Sequence, residues 1–216
     1  MRLPTATTGL RLLLSCSLFA LACAPATQST EGTPPDLAGV ERDMAPVCTT
    51  VTGNLLTNPG FEASLMGSTT NLGAGSSTIP GWRGCCGTTQ TTTYDVVSSQ
   101  RYCGERSVSI SSSQGATSNV LIQDAMRGSD VGKTFLVSAW LNVTSVGAGG
   151  EIGLDVFDNG TPKAVVAPTV SLKNPTNGWF ELRASGTVPT GGNLQVRITS
   201  SGTIQAYADE LVFRIP

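Results

Sequence analysis

Fifteen carboxylates, six cysteines and no histidine bound the chemistry open to this 216-residue chain. Without an imidazole, nucleophiles activated through a Ser-His or Cys-His pair are excluded. A glycosidase would need two opposed carboxyl groups. Asp155, Asp158, Glu181, Asp209 and Glu210 could supply such a pair, but no motif singles one out. No glycine-rich phosphate loop follows a strand and opens a helix. The expectation is therefore a chain that binds without catalysing. Two stretches set an acid beside large hydrophobes: Asn54-Leu55-Leu56-Thr57-Asn58-Pro59-Gly60-Phe61-Glu62, and Tyr207-Ala208-Asp209-Glu210-Leu211-Val212-Phe213. Asn58-Pro59-Gly60 reads as a turn, because proline fixes φ and glycine accepts positive φ. An acid among Tyr207, Leu211 and Phe213 is costly to bury unpaired. The two ends are expected to meet in one sandwich and share a hard cation.

The cysteines divide by position. Cys16 lies in the leading segment, and Cys23 follows it. Cys48, Cys85, Cys86 and Cys103 remain, and in an oxidising compartment they allow three pairings. A bridge between the adjacent Cys85 and Cys86 would be strained, so bonds from this pair to Cys103 and Cys48 are the expectation. A zinc site is disfavoured by the lack of histidine and of paired knuckles. These four cysteines read as structural.

The leading segment carries Arg2 and Arg11 and no acid, then the apolar run 12–21, too short for a bilayer-spanning helix. Ala20-Leu21-Ala22 supplies a small-residue cleavage pattern, so residues 1–22 read as a secretory signal. Leu18-Phe19-Ala20-Leu21-Ala22-Cys23 resembles a bacterial lipoprotein signal, which would make Cys23 a lipidated N-terminus in the cell envelope. Simple secretion is the alternative. Residues 23–52 form a Pro/Thr-rich linker, punctuated by Pro25, Pro34, Pro35 and Pro46. Such a composition buries too little surface to offset its ordering entropy; a short helical turn at 37–44 is its one candidate element. Loss of Arg2 and Arg11 takes 13 bases to 11 against 15 acids, a net charge of −4. With no basic run, nucleic acid is not expected as a partner. Contact with a membrane is expected only through a lipid at Cys23.

Residues 53–216 must then carry the folded part. Charged residues make up 13% of the chain, about half the usual share, and aromatics 6%. Short apolar runs alternate with Gly, Pro, Ser, Thr and Asn, the pattern of a sandwich or barrel. Val108 and Ile110 alternate inward on one run. In the run 134–143, Phe135, Val137, Ala139, Leu141 and Val143 line one face, and Leu136, Ser138, Trp140 and Asn142 the other. Ile152, Leu154 and Val156 alternate with Gly153, Asp155 and Phe157, and Asp158-Asn159-Gly160-Thr161 carries a hairpin signal. The fold class predicted is an all-β antiparallel sandwich of eight to eleven strands in two packed sheets.

Read together, Asn54-Leu55-Leu56 with Asn58-Pro59-Gly60-Phe61-Glu62, Pro80-Gly81-Trp82, the run from Phe135 to Val143, Gly178-Trp179 with Ser185-Gly186-Thr187-Val188-Pro189, and Tyr207 to Phe213 resemble the cellulose- and xylan-binding jelly-roll carbohydrate-binding modules, families 4, 9, 16 and 22. The resemblance covers residues 53–216. It implies a structural calcium where the opening segment meets the last strand, with Glu62 and Asp209 as side-chain ligands and a backbone carbonyl near Gly104 as a third. Calcium takes six to eight oxygens of this kind. It also implies a polysaccharide ligand, and it places Arg83 where some relatives carry a xylan-binding arginine. Sugar binding needs an aromatic platform with polar groups beside it. By parity Trp140 is the candidate platform, with Asp155 and Phe157 sharing its face on the following strand, while Trp82 and Trp179 are expected in the core. The function implied is non-catalytic polysaccharide binding by an exported, lipid-anchored module. The alternative is a surface lipoprotein using the same sandwich for adhesion or envelope protein contacts. An open Trp140 beside Asp155 would favour the first, and a buried Trp140 the second.

Overall fold

The period-two alternation of the longest apolar run sets the frame of the computed structural model, which describes residues 47–67, 69–71, 78–86, 92–113, 119–160 and 163–216. The predicted signal, the linker as far as residue 46, its possible helical turn and Cys23 lie outside the described residues. The strands are β1 (Thr69–Asn71), β2 (Arg83–Cys85), β3 (Thr92–Val97), β4 (Ser107–Ser112), β5 (Asn119–Met126), β6 (Thr134–Val146), β7 (Glu151–Asp158), β8 (Ala164–Leu172), β9 (Phe180–Thr187), β10 (Asn193–Ser201) and β11 (Ile204–Arg214). Among the described residues a single 3₁₀ turn, Gly128–Asp130, precedes β6. All described strand pairs are antiparallel. A six-stranded sheet runs β1-β3-β4-β11-β6-β9 and a five-stranded sheet runs β2-β5-β10-β7-β8.

Each sheet turns one face to the other, and the apolar alternation supplies that face. Phe135, Val137, Ala139, Leu141 and Val143 of β6 are buried there, opposite Ile152, Leu154 and Val156 of β7 and Leu194, Val196 and Ile198 of β10. Trp82, just before β2, fills the same core beside Phe61, with ring centroids 5.5 Å apart. The expected core position of Trp179 is not borne out: it lies half-exposed before β9, its ring edge towards Tyr102.

The last strand breaks its own period. Ile204, Ala206 and Ala208 are buried at even positions, then Leu211 and Phe213 at odd ones. Pairing with β6 slips between Asp209 and Val212, and Glu210 takes φ 44°. The slip is a β-bulge, which inserts residues on one strand and re-aims the side chains around it. The carboxylates of Asp209 and Glu210 sit at this irregularity. The opening segment 54–61 is not a regular strand, yet it lies along β11: Leu55 N donates to Phe213 O at 2.8 Å and Leu211 N to Pro59 O at 3.1 Å. The Asn54 side chain completes the seam, donating to Leu211 O at 2.8 Å and accepting from Phe213 N at 3.0 Å.

Candidate functional site

Outward positions of the five-stranded sheet carry a row of polar side chains that the alternation dictates. On β10 the apolar Leu194, Val196 and Ile198 face the core, so Gln195, Arg197 and Thr199 face out. Register then aligns Arg83, Ile122, Arg197 and Asp155 across β2, β5, β10 and β7. Arg197 grips Asp155 through two hydrogen bonds of 2.6 and 2.7 Å, a bidentate pair in which the carboxylate side chain is 3% exposed. The same guanidinium lies 4.1 Å above the Phe157 ring centroid, a cation–π contact. One row along, Asp124 accepts from Arg83 at 2.9 Å and from Gln195 at 2.9 Å. Beside the Arg197–Asp155 pair opens a groove of about 420 Å³, lined by Cys86, Val120, Glu151, Asp155, Thr199 and Ser200 among others. Its size is in the range of small-ligand sites.

Trp140 does not join this surface, which corrects the expectation that it shares a face with Asp155 and Phe157. It points outward as parity requires, but from β6 of the six-stranded sheet, whereas Asp155 and Phe157 point outward from β7 of the other sheet. Parity fixes a side within one strand. The turn at 147–150 carries the chain across the sandwich, so the outward positions of β7 meet the opposite outer surface. Trp140 is half-buried, stacked on Tyr102 with ring centroids 4.0 Å apart and planes 11° apart.

Tyr102 belongs to a loop that closes over the bulge of β11. Its backbone N–H, at 2.9 Å, and that of Cys103, at 3.2 Å, donate to Asp209 Oδ2, while Glu210 N donates to Oδ1 at 2.8 Å. The N–H groups of Glu105 and Arg106 donate to Glu62 Oε1 at 2.9 and 3.0 Å. The Arg106 guanidinium bonds to the carbonyls of Glu62 and Ser64. Gly104 makes this wrapping possible: it takes φ 64°, and a Cβ there would lie 2.2 Å from Glu62 Oε1. Around Gly60 the three acids converge, since a Cβ on that glycine would lie 3.4 Å from Glu210 Oε1, 3.5 Å from Asp209 Oδ1 and 3.8 Å from Glu62 Cγ.

The electrostatics of the cluster are unbalanced. Burial pushes the Asp209 carboxyl up to about 7, against the pull of its three backbone donors, and the charge of Glu210 adds to the rise. Burial and then the Glu62 carboxylate raise Glu210 as well. Among the described residues no lysine or arginine forms an ion pair with any of the three acids. Asp209 and Glu210, both raised by burial, together with the exposed Glu62 beside them form an oxygen donor set that fits calcium, a hard cation that neutralises such a cluster. Glu62 and Asp209, predicted from opposite ends of the chain, are thus brought together, with Gly104 packed on Glu62 and Glu210 added.

The disulfides differ from the expected pairing. Cys48 bonds Cys103, and Cys85 bonds Cys86. The pairing is set by which loops meet: the segment entering the domain at Cys48 runs beside the 102–106 loop, out of reach of Cys85 and Cys86 at the edge of the other sheet.

No protein-family model matches the chain, and no curated protein matches it. Among solved structures it is similar to the CBM22-1 xylan-binding domain from Paenibacillus barcinonensis Xyn10C, at 16% identity over 77% of this chain and 97% of that one, with a TM-score of 0.50. It also matches the Clostridium thermocellum Xyn10B CBM22-1–GH10 modules complexed with xylohexaose, at 17% identity over 76% and 29%, TM-score 0.53. The enzymatically active domain of the bacteriophage CBA120 tailspike protein 4 matches at 14% identity over 76% and 21%, TM-score 0.52. The fold is that of a jelly-roll carbohydrate-binding module. On this module fold, Arg83, Asp155 and Phe157 share one outer face, while Trp140, Glu62, Gly104 and Asp209 gather on the other sheet and at its bulge. The residues that sequence reading missed on the groove face are Asp124, Gln195 and Arg197. Their signal was present: Gln195, Arg197 and Thr199 alternate with Leu194, Val196 and Ile198.

Proposed function

We propose that this chain is a non-catalytic module that binds a polysaccharide along the outer face of its five-stranded sheet. The observation that carries the reading is the set of polar side chains Arg83, Asp124, Gln195, Arg197 and Asp155 on that face beside an open groove, charge-paired and held in register by the strands. Such fixed donors and acceptors suit sugar hydroxyls, which need partners in defined directions. The xylan-binding and xylohexaose-bound structures that share the fold support a β-linked glycan of that type. Both carboxylates in the row are engaged by a guanidinium, which suits binding better than the opposed acid and base of a glycosidase. The acid cluster of Glu62, Asp209 and Glu210, with the loop around Gly104, holds a structural calcium that ties the two chain ends. Upstream, the signal-like segment 1–22 exports the module, and lipid on Cys23 anchors it at the outer surface of a bacterial envelope.

A second reading, adhesion through protein contacts without sugar, draws on one observation. The Phe157 ring, the one aromatic on the groove face, is already overlaid by Arg197. Retardation of the chain in polysaccharide-containing native gels, or capture on a glycan array, separates the two. Sugar binding requires retardation by at least one β-linked glycan, weakened about tenfold by Arg83→Ala and left unchanged by Trp140→Ala. A chain that no glycan retards or captures belongs to the second reading.

A further inference from the structure

A sugar-binding groove ordinarily offers a flat, polarisable surface for the apolar face of a pyranose ring, and the aromatic inventory shows that this groove lacks one. Every aromatic residue beyond Phe19 lies in a described position. Phe61, Trp82, Tyr94, Phe135 and Phe213 are buried in the core. Tyr102, Trp140 and Trp179 group together over the six-stranded sheet. Phe180 and Tyr207 lie on strands of that same sheet. Phe157 alone reaches the groove face, under the Arg197 guanidinium.

The position left for such a surface is held by sulfur. β2 is the edge strand of the five-stranded sheet, and Cys85 pairs with Val120, which aligns with the outward Thr199 of β10. Cys86 follows at φ 77°, a conformation uncommon for a residue with a side chain, and it lines the groove together with Val120, Asp155 and Arg197. The two residues are joined as Cys85–Cys86, with Cys85 half-exposed and Cys86 exposed. A bridge between sequence neighbours constrains no long loop, so the usual stabilisation by cross-linking distant segments does not account for it. Its consequence is local: two sulfurs and two methylenes are presented as one rigid, polarisable ledge beside Val120. Free cysteines would be mobile and would carry S–H donors instead.

We propose that the Cys85–Cys86 bridge is a ligand-contacting wall of the groove, a stacking surface for the apolar face of a sugar ring whose hydroxyls are met by Arg197, held in place by Asp155, and by Thr199. The inference rests on the reading of this groove as the glycan site. It makes binding dependent on the oxidised state of one bridge. Reduction by a dithiol transfers two electrons and two protons to the sulfurs, breaks the S–S bond, leaves two thiols and converts the dithiol to its own cyclic disulfide. The rigid ledge is lost while the sheet remains.

The test uses the full wild-type chain and whichever of soluble xylan, a β-1,4-glucan or a β-1,4-galactan retards it most in native gels. Dithiothreitol opening of each bridge is followed by alkylating the freed thiols and assigning them by peptide mass. With polysaccharide at about ten times its Kd, opening of Cys85–Cys86 is expected to slow roughly tenfold, while opening of Cys48–Cys103 is unchanged. Retardation of Cys85→Ala/Cys86→Ala is expected to weaken about tenfold, with its melting temperature kept. Equal opening rates with and without a retarding polysaccharide overturn the inference and leave the glycan reading standing. Failure of all three polysaccharides to retard the wild-type chain overturns both. The protection measurement needs no variant, so it decides even where the double substitution impairs folding.

Discussion

Arg197 and Arg83 illustrate how burial separates two arginines that read alike. Each meets a carboxylate on the outer face of the same sheet. The Arg197–Asp155 pair is 15% and 3% exposed and bidentate, whereas Arg83–Asp124 is 43% and 47% exposed. Removing one partner of a buried pair strands the other charge and costs several kcal/mol, whereas an exposed pair contributes about 1 kcal/mol or less. Arg197→Ala should therefore destabilise the fold by about 3 kcal/mol in denaturant unfolding, and Arg83→Ala by less than about 1 kcal/mol. Arg83→Ala should lose glycan affinity all the same, because its guanidinium, though paired with Asp124, is half-exposed on the binding face. Equal stability losses for the two would contradict this difference in burial.

At the scale of elements, what the sequence disclosed and what it hid follow from range. Alternation within a strand is a local signal, and the core faces of β4, β6, β7 and β10 were legible from it. Trp140 was correctly read as outward and wrongly joined to Asp155, because sheet membership depends on pairings far along the chain. β6 bonds to β11 and β9, while β7 bonds to β10 and β8. Disulfide pairing failed for the same reason, since Cys48 and Cys103 meet only after residues 47–51 cross to a loop 55 positions away. The acid cluster was legible because its two main members sit in turn and strand motifs at the two chain ends. The slip in Ile204-Gln205-Ala206-Tyr207-Ala208-Asp209-Glu210-Leu211-Val212-Phe213, visible as a change from even to odd apolar positions, marks the bulge that aims Asp209 and Glu210. The seam beside that bulge depends on Asn54, whose side chain makes three hydrogen bonds, to Leu211 O, Phe213 N and Leu56 N. Asn54→Ala removes them all and leaves the Phe213 N–H without its acceptor. The expected loss is about 2 kcal/mol of unfolding free energy, with the core strands' hydrogen-exchange protection reduced to match.

At the scale of the whole molecule, the two ends of the domain are held by backbone bonds, by Cys48–Cys103 and by the acid cluster, and the last of these makes stability depend on pH and calcium together. Asp209 titrates near 7 in the fold against an ordinary value of 3.8. The folded chain therefore holds a proton that the unfolded chain has released, and without a cation stability must fall as pH rises from about 4 to about 7. Above that window this group takes away nothing further. Calcium binds only the ionised carboxylates, so its stabilisation grows through the same window and opposes the loss. Melting temperatures in chelator should accordingly decline between pH 4 and pH 7.5, and calcium should raise the pH 7.5 value while leaving pH 4 nearly unmoved. Glu62→Gln keeps an oxygen to accept from Glu105 and Arg106 but removes one charge. It should abolish most of the calcium shift while the decline in chelator persists, since Asp209 remains buried. A wild-type melting temperature indifferent to calcium at pH 7.5 would leave the three acids as an uncompensated strain on the fold and remove the ion from the account.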